Sequence, residues 1–541
     1  MATDDVVPPD PNRWRGLVVI SLSVAIVIAD ATVVNVALPS VIRDLRITTA
    51  DAEWITSVYS LVFAALLITV GRLGDVHGRR RMLHIGITVF VVASVAAALS
   101  GSGGALIAAR VLQGVGASML LPATLSTLNA TFTGADRAVA FAVWGSTIGG
   151  MAAVGPLLGG WLTTTWSWRW IFGINVVVGA VVVAGLLAWV TETRDPAVRR
   201  GLDVPGTLLS VLGLGGVVFA LIEGQRFGWW RPTGRARDDL HWSVGVSPVV
   251  VAAALGVAAL AAFTAVEGRR RRADRVVVLD VGLFAIPSFR NGNLAAGIVS
   301  LGEFGLLFVL PLYLQNILGL SAVRTGVVLL ALAGGSFLAA PSAPALTSRW
   351  GPRAVVRLGL VLEIAGVAGI ALSVAVPASA WRFVPSLFVY GLGVGFATAQ
   401  LTGVILADVP VASSGQASGT QSTSRQIGSA LGVAVIGAVL VASLGATATT
   451  RLTDAGVPPA ARTALVDATT SSAGAAIAAL RAQRGAADPA VLALERAYAD
   501  ATRTVGLIAA GFLVLGLLAS FSLGRGGPDR TGVPERAGPA G

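Results

Sequence analysis

The sequence predicts an all-α polytopic membrane protein with fourteen transmembrane helices, and three observations carry that prediction. The chain is 55% hydrophobic and only 12% charged over 541 residues, with a mean hydropathy of +0.78, which is too apolar for a soluble protein of this size. Its apolar residues fall into runs close to the roughly 20 residues that one helical crossing of a bilayer needs. Its Arg residues gather in short segments between those runs, the bias that marks the cytoplasmic side of a membrane.

Taken in order, a tail over 1–15 precedes the first run. Met1–Pro11 is acidic and Pro-rich rather than basic, so it does not read as a cleavable signal and the following run is a retained span. Six spans near 16–38, 54–72, 82–100, 104–128, 138–160 and 168–190 make a first bundle over 16–190. Two more, near 204–223 and 244–266, occupy an inserted segment over 191–289. A second six, near 290–312, 322–346, 354–376, 382–406, 426–445 and 503–523, make a second bundle over 290–523, and a tail over 524–541 closes the chain. With both termini in the cytoplasm, Arg79–Arg81, Arg199 and Arg200, Arg269–Arg272, and Arg349 with Arg353 all fall on that side, as the positive-inside rule requires.

The turn between the second and third spans, GRLGDVHGRRRML (Gly71–Leu83), anchors this orientation. PALTSRWGPRAVV (Pro344–Val356) lies at the same place in the second six and can be laid on it with Gly351 over Gly78 and Arg353 over Arg80. Such internal similarity is the mark of a transporter built from repeated bundles, with the substrate path between them. Gln225–Trp242 and the long segment 446–502 break the pattern as outer loops. The second is Ala-rich and contains short helices, such as one over Asp488–Thr502 behind an Asp-Pro cap. A lid over the outer mouth and an insertion packed on the surface are its two readings.

Composition also excludes chemistry. The net charge is +11, but the Arg residues sit between apolar runs and no basic domain is long enough to hold a nucleic acid. The absence of Cys removes disulfides and thiolate sites. There is no Lys, so a phosphate-binding loop of the Walker type is absent and any uphill work must draw on an ion gradient or a partner. His77, His84 and His241 show no metal-ligand spacing, no cofactor is implied, and no nucleophile and base constellation suggests an enzyme.

Several ordered motifs carry a family resemblance. DATVVNVALP (Asp30–Pro39) lies in the first span, GRLGDVHGRRRML follows the second, RVLQGVGAS (Arg110–Ser118) lies in the fourth and GPLLGG (Gly155–Gly160) in the fifth. WRWIFGIN (Trp168–Asn175) opens the sixth, and LDVGLFAIPSFRNGN and SGTQSTSRQIGSALGVAV lead into later spans. Together they resemble the major facilitator superfamily, specifically its fourteen-helix drug:proton antiporter branch, over nearly the whole chain. The resemblance implies two six-helix bundles plus two extra transmembrane helices, and alternating-access export.

The candidate residues follow from chemistry and from this likeness. Asp30 lies inside an apolar helix, where an ionised carboxylate is costly unless paired or wetted; alternately exposed and paired, it can load and release a proton. Permanent satisfaction by helix packing is the alternative. Arg110 shares a face with Gln113, Gly114 and Ala117, and the likeness puts it in the proton-relay region of the first bundle, where it is expected to modulate the protonation of Asp30, directly or through water. An Arg bonded to helix carbonyls is the plainer reading. Glu303 is a second candidate proton or cation site if it faces a central cavity across from Asp30, with packing against a neighbouring polar group as its other reading, and Glu363 reads as a packed carboxyl. Asn35 and Gln113 are expected to support the Asp30 site. Gly155, Pro156, Gly159 and Gly160, with Gly145 and Gly149, give the fifth span a small-residue face for close helix approach. In the likeness this is the antiporters' helix, although Met151 departs from its pattern. Gly71, Asp75, Gly78, Arg79 and Arg425 form the expected gate: Asp75 is expected to cap a helix and hold the two bundles together with Arg425 as its partner. A purely topogenic role is the plainer reading of Arg79–Arg81. Phe304, Phe308, Tyr313, Phe388 and Tyr390 are candidate cavity aromatics or packing residues.

The resulting expectation is a monomer in the cytoplasmic membrane that exchanges protons for small hydrophobic or cationic substrates, with the lipid bilayer as its other partner and no nucleic acid. A lipid or lipid-precursor exporter, and a non-transporting sensor or scaffold of the same fold, are the alternatives.

Overall fold

The computed structural model describes residues 10–523 apart from 48, 194–200, 202 and 377, and among these it is all helical, with no strand. The predicted tail 524–541, Arg199 and Arg200 therefore lie outside the described residues, as does the side chain of Asn35.

The first bundle is α1 (Arg13–Leu45), α2 (Thr49–His77), α3 (Arg79–Ala98), α4 (Gly103–Thr131), α5 (Gly134–Thr165) and α6 (Trp170–Trp189). An inserted pair follows, α7 (Val204–Phe227) and α9 (Pro248–Arg272), joined through a short α8 (Gly234–Leu240). The second bundle is α10 (Pro287–Asn316), α11 (Ala322–Trp350), α12 (Pro352–Ser373), α13 (Val384–Leu406), α14 (Ser414–Asp454) and α17 (Pro489–Ser520), with α15 (Pro459–Ser471) and α16 (Ala475–Arg484) between its last two members. Among the described residues, 12 helices are long and apolar enough to cross a membrane, or up to 14 when each of two bent helices is counted as one span. The chain is a multi-pass membrane protein.

Local chemistry sets the helix ends. Ser102, Asp203, Ser247, Ser321 and Asp488 cap α4, α7, α9, α11 and α17 through side-chain oxygens, each satisfying a backbone N–H that the helix leaves free. Pro stands in the first turn of α7, α9, α10, α12 and α17, where its missing N–H costs nothing.

The two sixes pack in one pattern. The packing of α1 against α5 and α6 matches that of α10 against α14 and α17; α3 against α4 and α6 matches α12 against α13 and α17; and α2 against α4 matches α11 against α13. They meet along two matching seams, α2 on α14 and α11 on α5. Gly78, between α2 and α3, and Gly351, between α11 and α12, both have positive φ, 105° and 79°, a conformation that glycine takes without steric cost. The end of the molecule that carries these two turns is called the Gly78 face below.

Most helices exceed their predicted spans, and in α2, α14 and α17 the extension moves functional residues. α2 runs through Gly71 and Gly74 to His77, so the expected loop shrinks to Gly78 alone. α14 begins at Ser414 rather than at 426. Its first turns look like a loop by composition, yet Thr420 and Thr423 hydroxyls donate to the carbonyls of Gln416 and Gly419 within the helix, which removes their competition with it. Asp488 caps one continuous helix, α17, not a separate short one ahead of a span at 503. Segment 446–502 is itself mostly helical and packs down: Arg481 pairs with Glu495 and donates to Ile317 O at 2.7 Å, and Asn316 donates to Ala473 O.

Both bends have a proline as cause. α5 turns by 44° between Asp136–Met151 and Val154–Thr165, where Pro156 removes the bond to the carbonyl of residue 152. α11 turns by 51° between Val323–Ala339 and Pro341–Trp350, at Pro341 and ahead of Pro344.

Candidate functional site

Five helices of the first bundle, α1 to α4 and α6, converge on Asp30, which is only 2% exposed. Arg110 of α4 forms an ion pair with its Oδ2 and also donates to Ile55 O at 3.0 Å and Gln113 Oε1 at 2.8 Å. Gln113 donates to Asp30 Oδ1 at 3.2 Å and to Ser94 Oγ at 2.9 Å. Asn175 of α6 donates to the same Asp30 oxygen at 2.7 Å. The Arg110 guanidinium lies 4.2 Å from the ring centre of Tyr59, whose hydroxyl donates to Val27 O. A buried ion pair survives in a low-dielectric interior only when its remaining hydrogen-bonding capacity is filled, and here side chains from α3, α4 and α6 fill it. Asn175, Ser94 and Tyr59 are not among the residues singled out from sequence; Asn175 ends the WRWIFGIN motif, which was its only signal.

The fifth helix reaches this cluster by close packing. A methyl group on Gly155 would overlap the Thr32 hydroxyl, and one on Gly159 would lie 2.9 Å from Val33 O, so α5 approaches α1 one turn from Asp30. Gly160 faces α11 instead, at Val323. Gly145 meets Ala399 of α13, and Gly149 meets Ser336 of α11. The small-residue face thus serves α1 and the second bundle together.

The second bundle holds a counterpart. Glu303 of α10, 4% exposed, accepts from Thr398 at 3.4 Å and faces Arg425 of α14 at 3.5 Å. Glu363 of α12 is fully buried, and neither of its oxygens has a hydrogen-bond partner. Arg425 is therefore Glu303's partner and not Asp75's, correcting the expected pair. The reason is the early start of α14, which puts Arg425 about 15 Å along the helix from Gly415.

Asp75 still caps a helix, but that helix is α14. It lies near the end of α2, not at the start of the third helix, and its two oxygens accept from Gly415 N at 2.8 Å and Gln416 N at 3.0 Å. A carboxylate at a helix N-terminus meets free amides and the positive end of the dipole. Gly71 and Gly415 touch backbone to backbone, which makes room for the cap. Arg79, 2% exposed, donates to Asp75 at 3.3 Å and to Val411 O at 2.6 Å, so it does more than set topology. Behind it, Glu192 accepts from the backbone N–H groups of Arg80 and Arg81, and a methyl on Gly78 would meet that carboxylate at 2.5 Å.

Two cavities flank the seams. One of about 800 Å³ opens at the Gly78 face between α5, α11, α12 and α13. The other, about 370 Å³, lies between α2, α7, α10 and α14 and includes Phe308. Neither Asp30 nor Glu303 lines either of these two. Tyr313 and Tyr390 are fully buried in packing. Among the described residues no three His, Asp or Glu side chains converge as metal ligands would.

The sequence profile of the Major Facilitator Superfamily matches residues 20–433. The chain is 38% identical to a puromycin resistance protein of Streptomyces alboniger over 84% of this chain and 86% of that protein. It is 33% identical to the tetracenomycin C resistance and export protein of Streptomyces glaucescens, over 80% and 77%, and 34% identical to the multidrug efflux pump LfrA of Mycolicibacterium smegmatis, over 80% and 82%. Among solved structures, the human organic anion transporter MFSD10 superposes with a TM-score of 0.59 at 13% identity, covering 94% of this chain and 99% of that one.

Proposed function

Because this chain belongs to the Major Facilitator Superfamily and is a transporter rather than an enzyme, we propose that it exports hydrophobic or cationic drugs across the cytoplasmic membrane in exchange for protons. Both termini and the Gly78 face are then cytoplasmic, where Arg79–Arg81 and Arg269–Arg272 satisfy the positive-inside rule. The named activities of its relatives, resistance to and export of antibiotics, support a drug exporter.

The observation that carries the proton coupling is the bonding of Asp30. Its carboxylate accepts from Arg110, Gln113 and Asn175, so one acid ties α1 to α4 and α6. A proton on Asp30 cancels the charge that holds Arg110 and takes an acceptor from the others. Loading a proton therefore loosens these helices, and releasing it tightens them, which biases a two-state equilibrium as alternating access requires. One charge moved down 100 mV yields about 2.3 kcal/mol, so one or two protons drive a substantial drug gradient. Glu303 with Arg425 is placed to act the same way on α10 and α14.

The test is proton release from purified protein in weakly buffered detergent on adding lipophilic cations and neutral antibiotics, with Asp30→Asn alongside. Release by the wild type that is lost in Asp30→Asn supports exchange at Asp30. If compounds bind, as isothermal titration shows, yet no proton leaves at any pH between 6 and 9, exchange at Asp30 is wrong.

A further inference from the structure

The two seams between the bundles are equivalent by packing and unequal by sequence. In the register that sets Gly351 on Gly78, Pro344 takes the place of Gly71 and Ser348 the place of Asp75. On the α2–α14 side, the N-terminus of α14 receives the Asp75 carboxylate. On the α11–α5 side no carboxylate from α11 caps α5 among the described residues: Ser348 donates to Ala345 O in its own helix, Thr133 makes no side-chain cap on α5, and Asp136 in the first turn of α5 pairs with Arg13. The prolines bend α11, and the cavity of about 800 Å³ stands where the latch would be.

That cavity is lined by donors that lack acceptors. Gln400 is 3% exposed and its Nε2 has no partner. The Nε atoms of Arg137 and Arg353 and the Thr347 hydroxyl are buried and unpartnered as well. Neither Arg has an ion pair among the described residues; Arg137 donates to Gly403 O at 3.4 Å, lies over the Phe141 ring at 5.5 Å and feels the Asp408 carboxylate at longer range. The one lining acid, Asp408, is engaged by the Ser288 hydroxyl at 2.7 Å. Arg137 and Arg353 outnumber Asp408 in this lining, and the net positive charge favours an oxyanion, with Phe141 and Trp350 on the rim supplying apolar surface beside it.

We propose that this cavity binds an amphiphile with an anionic oxygen-bearing head group, the head occupying the place that Asp75 fills on the other seam. The site is built for carboxylate, sulfonate or phosphate heads and repels cationic ones. This rests on the exporter reading only in making the site an access point for substrate, and it adds anionic amphiphiles, by an access of their own, to the hydrophobic and cationic substrates proposed above.

The experiment uses the full chain in phosphatidylcholine nanodiscs and two photoprobes, a diazirine-bearing alkyl sulfonate and its alkyl trimethylammonium twin, with labelled peptides mapped by mass spectrometry. The sulfonate is expected to label the segments holding Phe141 and Thr347–Trp350, and the ammonium probe is not. Ser348→Asp supplies the internal carboxylate and is expected to lower sulfonate labelling about tenfold, the worth of one charge-assisted hydrogen bond. Arg137→Gln with Arg353→Gln is expected to do the same, and the Lys pair to restore it. Equal labelling by both probes, or labelling unchanged in either anion-directed variant, overturns the proposal. Repeating the sulfonate arm in phosphatidylglycerol nanodiscs separates the sources: competition there assigns the site to an anionic lipid head, and persistence assigns it to a transported amphiphile, both within the anionic class. Asp30→Asn is expected to leave labelling intact, so a failure of proton coupling and a failure of this site are read separately.

Discussion

Replacing Asp75 by Asn tests whether the α2–α14 contact is a latch. The carboxylate now accepts from Gly415 N and Gln416 N at 2.8 and 3.0 Å and from Arg79 at 3.3 Å. Asn keeps one acceptor and turns a donor toward the other amide, so one charge-assisted bond is lost and the buried Arg79 loses its counter-charge. At roughly 1.5–3 kcal/mol for a bond to a charged group, the loss is about 3 kcal/mol of preference for the sealed state, on the order of a 150-fold change in the equilibrium. The Gly71–Gly415 packing is untouched, so the fold is expected to survive. Because the chain has no Cys, His77→Cys with Val411→Cys gives two unique spin-label sites, both exposed on the Gly78 face. Double electron–electron resonance in nanodiscs is expected to show one short distance for the parent and a large, longer population for Asp75→Asn. A distance distribution identical to the parent's, in protein that remains monodisperse, refutes the latch.

Three further outcomes are expected. Gly155→Ala forces a methyl into the Thr32 hydroxyl and is expected to cost about 1–3 kcal/mol as overpacking, with Thr32→Ala restoring thermal stability when combined with it. Asn175→Ala removes a donor from buried Asp30 and is expected to destabilise by about 1–3 kcal/mol, with Asn175→Ser costing less, as thermal midpoints in detergent show. At the opposite face, Asp44 lies beyond the apolar run of α1, and a hydrogen bond from Trp168, then one from Arg169, hold its carboxyl below the ordinary aspartate value of 3.8. A depressed carboxylate stabilises the folded state above that value and loses its contribution as pH falls through the lower folded-state value. Wild type and Asp44→Asn should therefore differ in thermal midpoint at neutral pH and converge only in strong acid; a constant difference across that range would refute the assignment.

The helices and their order were legible because long apolar runs leave few alternatives in a bilayer. Asp30, Arg110 and Gln113 were legible because charged and amide side chains are expensive there and stand out. Asn175 and Ser94 were not, since a lone Asn or Ser in an apolar run is cheap enough to pass as packing; only their convergence from α6 and α3 gives them a role. Glu192 was hidden for a different reason. It lies far along the chain from Gly78, and only the fold brings its carboxylate to the amides of Arg80 and Arg81. The start of α14 was misjudged because Gly, Ser and Thr resemble loop residues until their hydroxyls bond back to their own helix and their glycines seat against α2. The same misjudgement produced the false pairing of Arg425 with Asp75.

The inequality of the seams also bears on how charge and opening connect. α2–α14 is closed at the Gly78 face, and α14 carries Arg425, which faces Glu303 on α10. α5–α11 is open there, and α5 is held on α1 at Thr32 and Val33, beside Asp30. One seam thus contains a helix ion-paired to a buried acid, α14 through Arg425, and the other a helix whose glycines pack on the helix that carries one, α5 on α1. A change at Asp30 reaches the open seam through α1 and α5 without passing through the latch, while a change at Glu303 acts on the latched helix itself. A repeat whose halves share one packing pattern can in this way give its two acids different mechanical tasks, and the difference comes from Gly71 and Asp75 in one turn and Pro344 and Ser348 in the other.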